Sequence, residues 1–342
     1  MTRLATHAFL AATFARLSDE LLAALTAEAN PLHTGAGGMS ALLAVDGIPV
    51  FVKKIPLTDL ERQPENVRST ANLFNLPMCC QYGFGGPAFN AWRELAANLT
   101  ATDWVTTGTC PNFPILYHWR VLPCAKPPSM TAAQREDLER DVRFWENSAA
   151  VRARLEAVHG ASAHLVLFSE YVPENLLTWL SAQLGKDAEA AEAALSFVEK
   201  HLAPTNDFMQ TQGVTHFDAH FENIMTDGQR LYFSDFGLAS SAEFALTAGE
   251  RQFLARHSSY DHARAAVGYM HCVSTALLGK NDWKDQLRQY LKSGLHRVPP
   301  RATAALTRYA PVALALLEFS RRLREESKQA AYPAEQFARL LG

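Results

Sequence analysis

The stretch THFDAHFENIMTDGQRLYFSDFGLASS, Thr215 to Ser241, restricts the fold more than any other part of the chain. The run MTDGQ carries an Asp-Gly pair and reads as a turn that joins two short strands. A hairpin brings its ends together, so Asn223 just before it and Asp235 just after it should meet at its base. Asp218 stands five residues before Asn223, with His216 and His220 on either side.

Several other function classes are excluded by composition. A formal net charge of −3 gives no attraction to nucleic acid or an anionic membrane, so neither is expected as a partner. No apolar run approaches the roughly 18 residues that span a bilayer. AFLAATFA near the start could mimic a signal segment, but Leu10, Phe14, Leu17, Leu21 and Leu25 continue past Arg16, Asp19 and Glu20 at helical spacing, which predicts an amphipathic helix. The five cysteines are odd in number and contain no C-x-x-C, so reduced thiols in a cytoplasmic protein are expected. His216 and His220, four apart, could form a metal pair on a helix; the aspartate between them favours a loop role.

Along the chain, PLHTGAGGMSALLAVDGIPVFVKKIPL reads as a glycine loop, a strand, an Asp-Gly turn and a second strand. A dinucleotide-binding loop would need a helix after its glycines. A strand follows instead, and glycines in a hairpin let backbone N–H groups cover phosphates. An irregular stretch runs from Pro56 to Pro87. Helices are predicted over 91–99 and 131–158, and strands over 114–122 and 163–172. Beyond Pro173 the pattern is helical except around Thr215–Ser241.

In this order the pieces resemble the protein-kinase-like superfamily, which includes protein kinases and aminoglycoside- and choline-type small-molecule kinases. VFVKK resembles its strand-three lysine motif, with Lys53 in the lysine position. Glu94 in WRELAANL sits where the family has its C-helix glutamate, FSEYV resembles the hinge, HFDAHFEN the catalytic loop, and SDFG the metal-binding D-F-G. The resemblance implies an α+β fold of two lobes, a small antiparallel-sheet N-lobe and a larger, mainly helical C-lobe. It implies a helical extension over 1–30, an N-lobe over 31–172 with insertions at about 57–90 and 124–160, and a C-lobe over 173–342 carrying the catalytic loop and D-F-G. ATP and Mg²⁺ are the implied cofactors. Gly35, Gly37, Gly38 and Lys53 would hold phosphates, Glu94 would pair with Lys53, and the backbone of Glu170 and Val172 would face adenine. Asp218 would act on the attacking hydroxyl with His220 beside it, while Asn223 and Asp235 would hold metal.

Departures from the family pattern bear on the substrate. Phe217 replaces the arginine that reads activation-loop phosphate in many protein kinases, His220 stands where serine/threonine kinases usually have lysine, and no A-P-E follows Gly237. These differences favour a phosphotransferase that moves the γ-phosphate of ATP to a hydroxyl on a small molecule, active without phosphorylation of its own loop. The alternatives are a protein serine/threonine kinase and a pseudokinase-like nucleotide-binding scaffold; the presence of Lys53, Asp218, Asn223 and Asp235 together argues against the scaffold.

Overall fold

The computed structural model describes residues 1–35, 38–125, 129–278, 282–293 and 300–342. The chain forms two compact units. Met1–Tyr171 and Asp235–Glu250 make up the first, Val172–Ser234 and Arg251–Gly342 the second. The resemblance grouped the D-F-G run with the helical part of the chain; by its contacts, Asp235–Glu250 belongs to the first unit.

In the first unit, α1 (Arg3–Ala15) and α2 (Asp19–Glu28) precede β1 (Asn30–Gly35), β2 (Gly38–Val45) and β3 (Ile48–Leu57). Next come α3 (Ala91–Thr106), β4 (Leu116–Pro123), α4 (Ala132–Phe144), α5 (Ala149–His159) and β5 (Ala163–Glu170). The five strands form one antiparallel sheet in the order β1-β2-β3-β5-β4. Alternation along β3 and β5 sends successive side chains to opposite faces. Ile55, Leu57, Leu165 and Leu167 pack with Ala91, Trp92 and Leu95 of α3. On β5, Phe168 is out of phase with that set and stacks on Phe14 of α1 at 4.5 Å.

Two predicted helices are each two helices. The single N-terminal helix is interrupted because the Ser18 hydroxyl accepts from Leu21 N, capping a new helix with Asp19 and Glu20 in its first turn. The buried positions move accordingly, from Leu10 and Phe14 in α1 to Leu22 and Thr26 in α2, and Leu21 is exposed. The 131–158 helix is likewise broken between α4 and α5, where Glu146 and Asn147 take left-handed backbone angles, both at φ 55°. The strand β1, rich in turn-forming residues, is an element that sequence patterning did not reveal.

The 57–90 run is irregular apart from two short 3₁₀ turns, Pro64–Asn66 and Met78–Gln81; it packs against α5, and its Glu61 O accepts from Trp92 Nε1 of α3 at 2.8 Å. The fully buried Glu61 organises it. One carboxylate oxygen accepts from Ala91 N at the start of α3, and the other accepts from Thr58 and pairs with Arg154 of α5 at 2.9 Å. A buried carboxylate is tolerable only with such partners. The 57–90 insertion therefore meets the start of the helix that carries Glu94, and α5 of the second insertion braces it through Arg154.

The second unit contains β6 (Glu174–Asn175), α6 (Leu176–Leu184), α7 (Ala188–Thr211), β7 (Val214–Thr215), β8 (Ile224–Thr226) and β9 (Leu231–Phe233). α8 (Ala248–Arg256) begins in the returning run and continues into this unit, followed by α9 (Tyr260–Leu278), α10 (Trp283–Ser293), α11 (Pro300–Glu325) and α12 (Ala334–Leu341). The expected hairpin is formed: β8 pairs antiparallel with β9, Ile224 opposite Phe233, with β6 alongside. Tyr269 of α9 meets Tyr309 of α11 edge to face at 5.6 Å. Among the described residues, no helix is long and apolar enough to cross a membrane.

Candidate active site

Within the first unit, Lys53 of β3 lies on the sheet face covered by α3. Its Nζ donates to Glu94 Oε1 at 2.6 Å and to Asp235 Oδ1 at 2.7 Å. Burial alone would depress the ammonium, but the two carboxylates outweigh it and hold its pKa above the ordinary lysine value. Burial pushes Glu94 the other way, up to about 7, against the pull of Lys53. Asp235 differs from Glu94 in access: its side chain is 44% exposed, against 4% for Glu94. Its backbone is left-handed, φ 60°, a conformation that turns the carboxylate toward Gly237 N. A methyl on Gly237 would lie 3.3 Å from both Asp235 Oδ1 and Glu94 Oε2, so the glycine leaves room for the two carboxylates to flank the lysine.

The neighbouring Lys54 points elsewhere and donates to Thr26 O near the end of α2 at 2.9 Å. Gly35 and Gly38 face each other across the β1–β2 pairing, and Gly37 lies outside the described residues. Gly38 has φ 114°, and a Cβ there would stand 2.3 Å from Lys54 O, so this glycine is required by backbone proximity beside Lys53. Glu170 is held by its side chain. Arg3 Nε and Nη2 donate to its two oxygens at 2.8 and 2.6 Å, Arg3 also reaches the carbonyls of Pro111 and Phe113, and Ile115 N donates to the same carboxylate. No local pattern marks this clamp, because Arg3 is 167 residues from its partner.

In the second unit, residues 216–223 form a tight polar loop. Asn223 Nδ2 donates to Asp218 O at 3.0 Å and to Asp218 Oδ2 at 3.2 Å, so Oδ1 is the end of the amide left for a cation. His220 Nδ1 accepts from Glu222 N, which assigns the proton to Nε2, 3.7 Å from Asp218 Oδ1. His216 is no metal ligand: its Nε2 donates to Ser234 O at 2.9 Å, and its Nδ1 accepts from Asp218 N. Ser234 N and Oγ both donate to Asn223 O, closing the hairpin base one residue before Asp235.

Two further residues shape this loop. Phe217 is fully buried with φ 61° and packs against Phe253, His257 and Tyr260. A left-handed aromatic residue costs on the order of 1–2 kcal/mol. Asp261 at the start of α9 offsets this by accepting from His216 N at 2.6 Å and Phe217 N at 2.9 Å. Burial raises the Asp261 carboxyl to about 7, and those two amides pull it down. In sequence, Asp261 looks like any acidic residue in a first helical turn.

A cavity of about 630 Å³ also opens in the second unit, among α7, α9, α11 and α12. His262, Ala265, Ala266 and Tyr269 present one face of α9 to it, and neither Asp218, His220 nor Asn223 lines it. It is separate from the polar loop.

Residues 88–246, just under half of the chain, match the model of the phosphotransferase enzyme family, APH. That family belongs to the protein-kinase-like superfamily, and the chain is similar to it over this span. The matched span contains Glu94, Asp218, His220, Asn223 and Asp235, and it begins after Lys53. APH-family enzymes are phosphotransferases, typically acting on small molecules. No curated protein matches the chain.

Proposed function

We propose that this protein transfers the γ-phosphate of ATP to a hydroxyl group of a small molecule, with Mg²⁺ as the metal. The observation that carries the reading is the Lys53 ammonium held between Glu94 and Asp235 at 2.6 and 2.7 Å. A lysine buried on a sheet face has little reason to attract two carboxylates, one of them half-exposed, unless one of these contacts is exchanged for a ligand. Nucleotide phosphates are the matching anions. On binding they would take over the ammonium from Asp235, while Glu94 kept the lysine oriented.

Each assigned ligand by itself suits a hard cation: Asp235 offers an accessible carboxylate and Asn223 an amide oxygen. Among the described residues, no three His, Cys, Asp or Glu side chains gather as a metal site. One or two protein oxygens completed by phosphate and water is the way Mg²⁺ is usually held. Bound there, the ion would neutralise charge on the phosphates. Asp218, with one oxygen steadied by Asn223, would orient the acceptor hydroxyl and receive its proton. His220, with its proton on Nε2, would donate a hydrogen bond to a phosphate oxygen. The backbone of Glu170 and Val172 is assigned to the adenine edge, and Gly35 and Gly38 to the phosphates.

Phe217 supports the small-molecule acceptor and independence from loop phosphorylation, since an aromatic contact fills the place of a phosphate-reading arginine. A labelled-ATP screen over aminoglycosides, nucleosides, sugars and folded proteins tests this. Transfer to an alcohol-bearing small molecule is expected. Transfer to protein alone would overturn the acceptor class, and nucleotide binding without any transfer would restore the scaffold reading.

A further inference from the structure

Among the described residues, four polar contacts tie the run from Asp235 to the rest of the first unit. Asp235 meets Lys53, Leu238 O accepts from Gln81 Nε2, Ala245 N donates to Thr70 Oγ1 at 2.8 Å, and Glu250 Oε1 meets Arg93 Nη2 at 2.6 Å. Thr70 and Gln81 belong to the 57–90 insertion, and Arg93 is adjacent to Glu94 on α3. The last pair is deeply buried, with side chains 2% and 4% exposed. Arg93 joins three segments: its Nε donates to Thr70 O at 2.7 Å, its guanidinium lies over Phe89, and Glu250 holds its far end. The second carboxylate oxygen of Glu250 accepts from Thr247 N at 2.9 Å, which orients it and caps the start of α8.

A buried ion pair is weak evidence for stability, because desolvation cancels much of its attraction. What it fixes is geometry. A guanidinium fork answered by a carboxylate on one side and a carbonyl on the other tolerates few arrangements. Here the fork sits one residue from Glu94, and its partner closes the run that opens with Asp235.

We infer that Arg93 and Glu250 are positioning residues, and that the 57–90 segment is a built-in brace holding Asp235–Glu250 against α3, so that Lys53, Glu94 and Asp235 stay aligned without covalent modification of that run. The inference rests on the proposed phosphotransferase reading. It assigns the insertion a role in alignment: residues 57–90 do for the post-D-F-G run what a phosphate-reading contact would otherwise do.

The test uses the full-length chain, shown by mass spectrometry to be unphosphorylated, with Mg-ATP hydrolysis and amide hydrogen exchange as readouts. Arg93→Met removes the fork, and Thr70→Val, at a half-buried site, removes only the tie to Ala245 and serves if the first variant folds poorly. Each variant is normalised to its folded fraction. Exchange over 236–247 should accelerate about tenfold or more as the segment opens locally. The kcat should fall about tenfold or more from misalignment, with the KM for ATP changing less than about threefold. Arg93→Lys, which keeps the charge and loses the fork, should recover part of the kcat. A lowered melting temperature with wild-type kcat and exchange would reduce the pair to a structural contact and overturn the inference. If the wild-type chain neither binds nor hydrolyses ATP, the phosphotransferase reading fails and the positioning role falls with it. Wild-type turnover that survives both substitutions overturns the brace alone.

Discussion

Replacing Lys53 by Met should make folding stability depend on pH in a way the parent does not. Glu94 is 4% exposed, and Lys53 is its only cationic partner in the described ion pairs. In the parent its carboxyl already titrates at about 7, because burial outweighs the lysine. Without the ammonium its pKa must rise further. The sign follows from proton binding: an acid whose folded pKa lies above its unfolded value is most stabilising at low pH, and that contribution is lost as pH rises toward the folded pKa. The parent therefore stops losing stability from this group near pH 7, whereas Lys53→Met continues to lose it at about 1.4 kcal/mol per pH unit. Between about pH 7 and pH 8.5 the variant should fall behind by about 2 kcal/mol, and near pH 6 the difference should be small. Asp235 contributes less, since its half-exposed carboxylate regains water when the lysine leaves.

Denaturant unfolding of the parent, Lys53→Met, Glu94→Gln and the double variant at both ends of that range supplies the assay. Glu94→Gln in the Lys53→Met background should abolish the extra pH dependence, giving a coupling of about 2 kcal/mol at the alkaline end. Additive single effects, or a Lys53→Met penalty that does not change with pH, would show that Glu94 is not the buried partner described, and the electrostatic account of the triad would be wrong.

Two further substitutions are expected to have distinct signatures. Gly38→Ala would combine φ 114° with a Cβ 2.3 Å from Lys54 O, so it should cost at least about 2 kcal/mol in denaturant unfolding; an unchanged midpoint would contradict the close approach of β2 and β3 there. Asp261→Asn should destabilise less at pH 8 than at pH 5. The parent's carboxyl, raised by burial to about 7, stabilises the fold fully only below the usual carboxylate range and loses that contribution as pH rises toward neutrality, while the amide has no such loss. Equal penalties at the two pH values would refute this.

The hairpin around Asp227-Gly228 and the strands from β2 through β5 were legible because their signals are local: alternation, an Asp-Gly turn, a run of β-branched and aromatic residues. The same holds for the helix that carries Glu94. The two helix breaks were not, because a capping serine amid continuing apolar periodicity, and two left-handed residues in a charged stretch, do not disturb the pattern on which a helix prediction rests. The contacts that hold the candidate site were less legible still. Arg3 with Glu170, Arg93 with Glu250 and Asp261 with the Phe217 backbone are each a polar residue of ordinary local context whose partner is 44 or more residues away. Motif spacing identifies the residues that could do chemistry, and only packing identifies those that hold them in place.

In the proposed reaction Asp218 would act on the acceptor and Asp235 on the metal-bound nucleotide. Parallel measurement of Mg-ATP affinity and phosphoryl transfer for Asp218→Asn and Asp235→Asn, on the acceptor found by the labelled-ATP screen, tests it most directly. Asp218→Asn should bind Mg-ATP as the parent does and transfer no phosphate, whereas Asp235→Asn should lose both affinity and transfer. Parental turnover by Asp218→Asn, or undiminished Mg-ATP affinity in Asp235→Asn, would contradict the assignment.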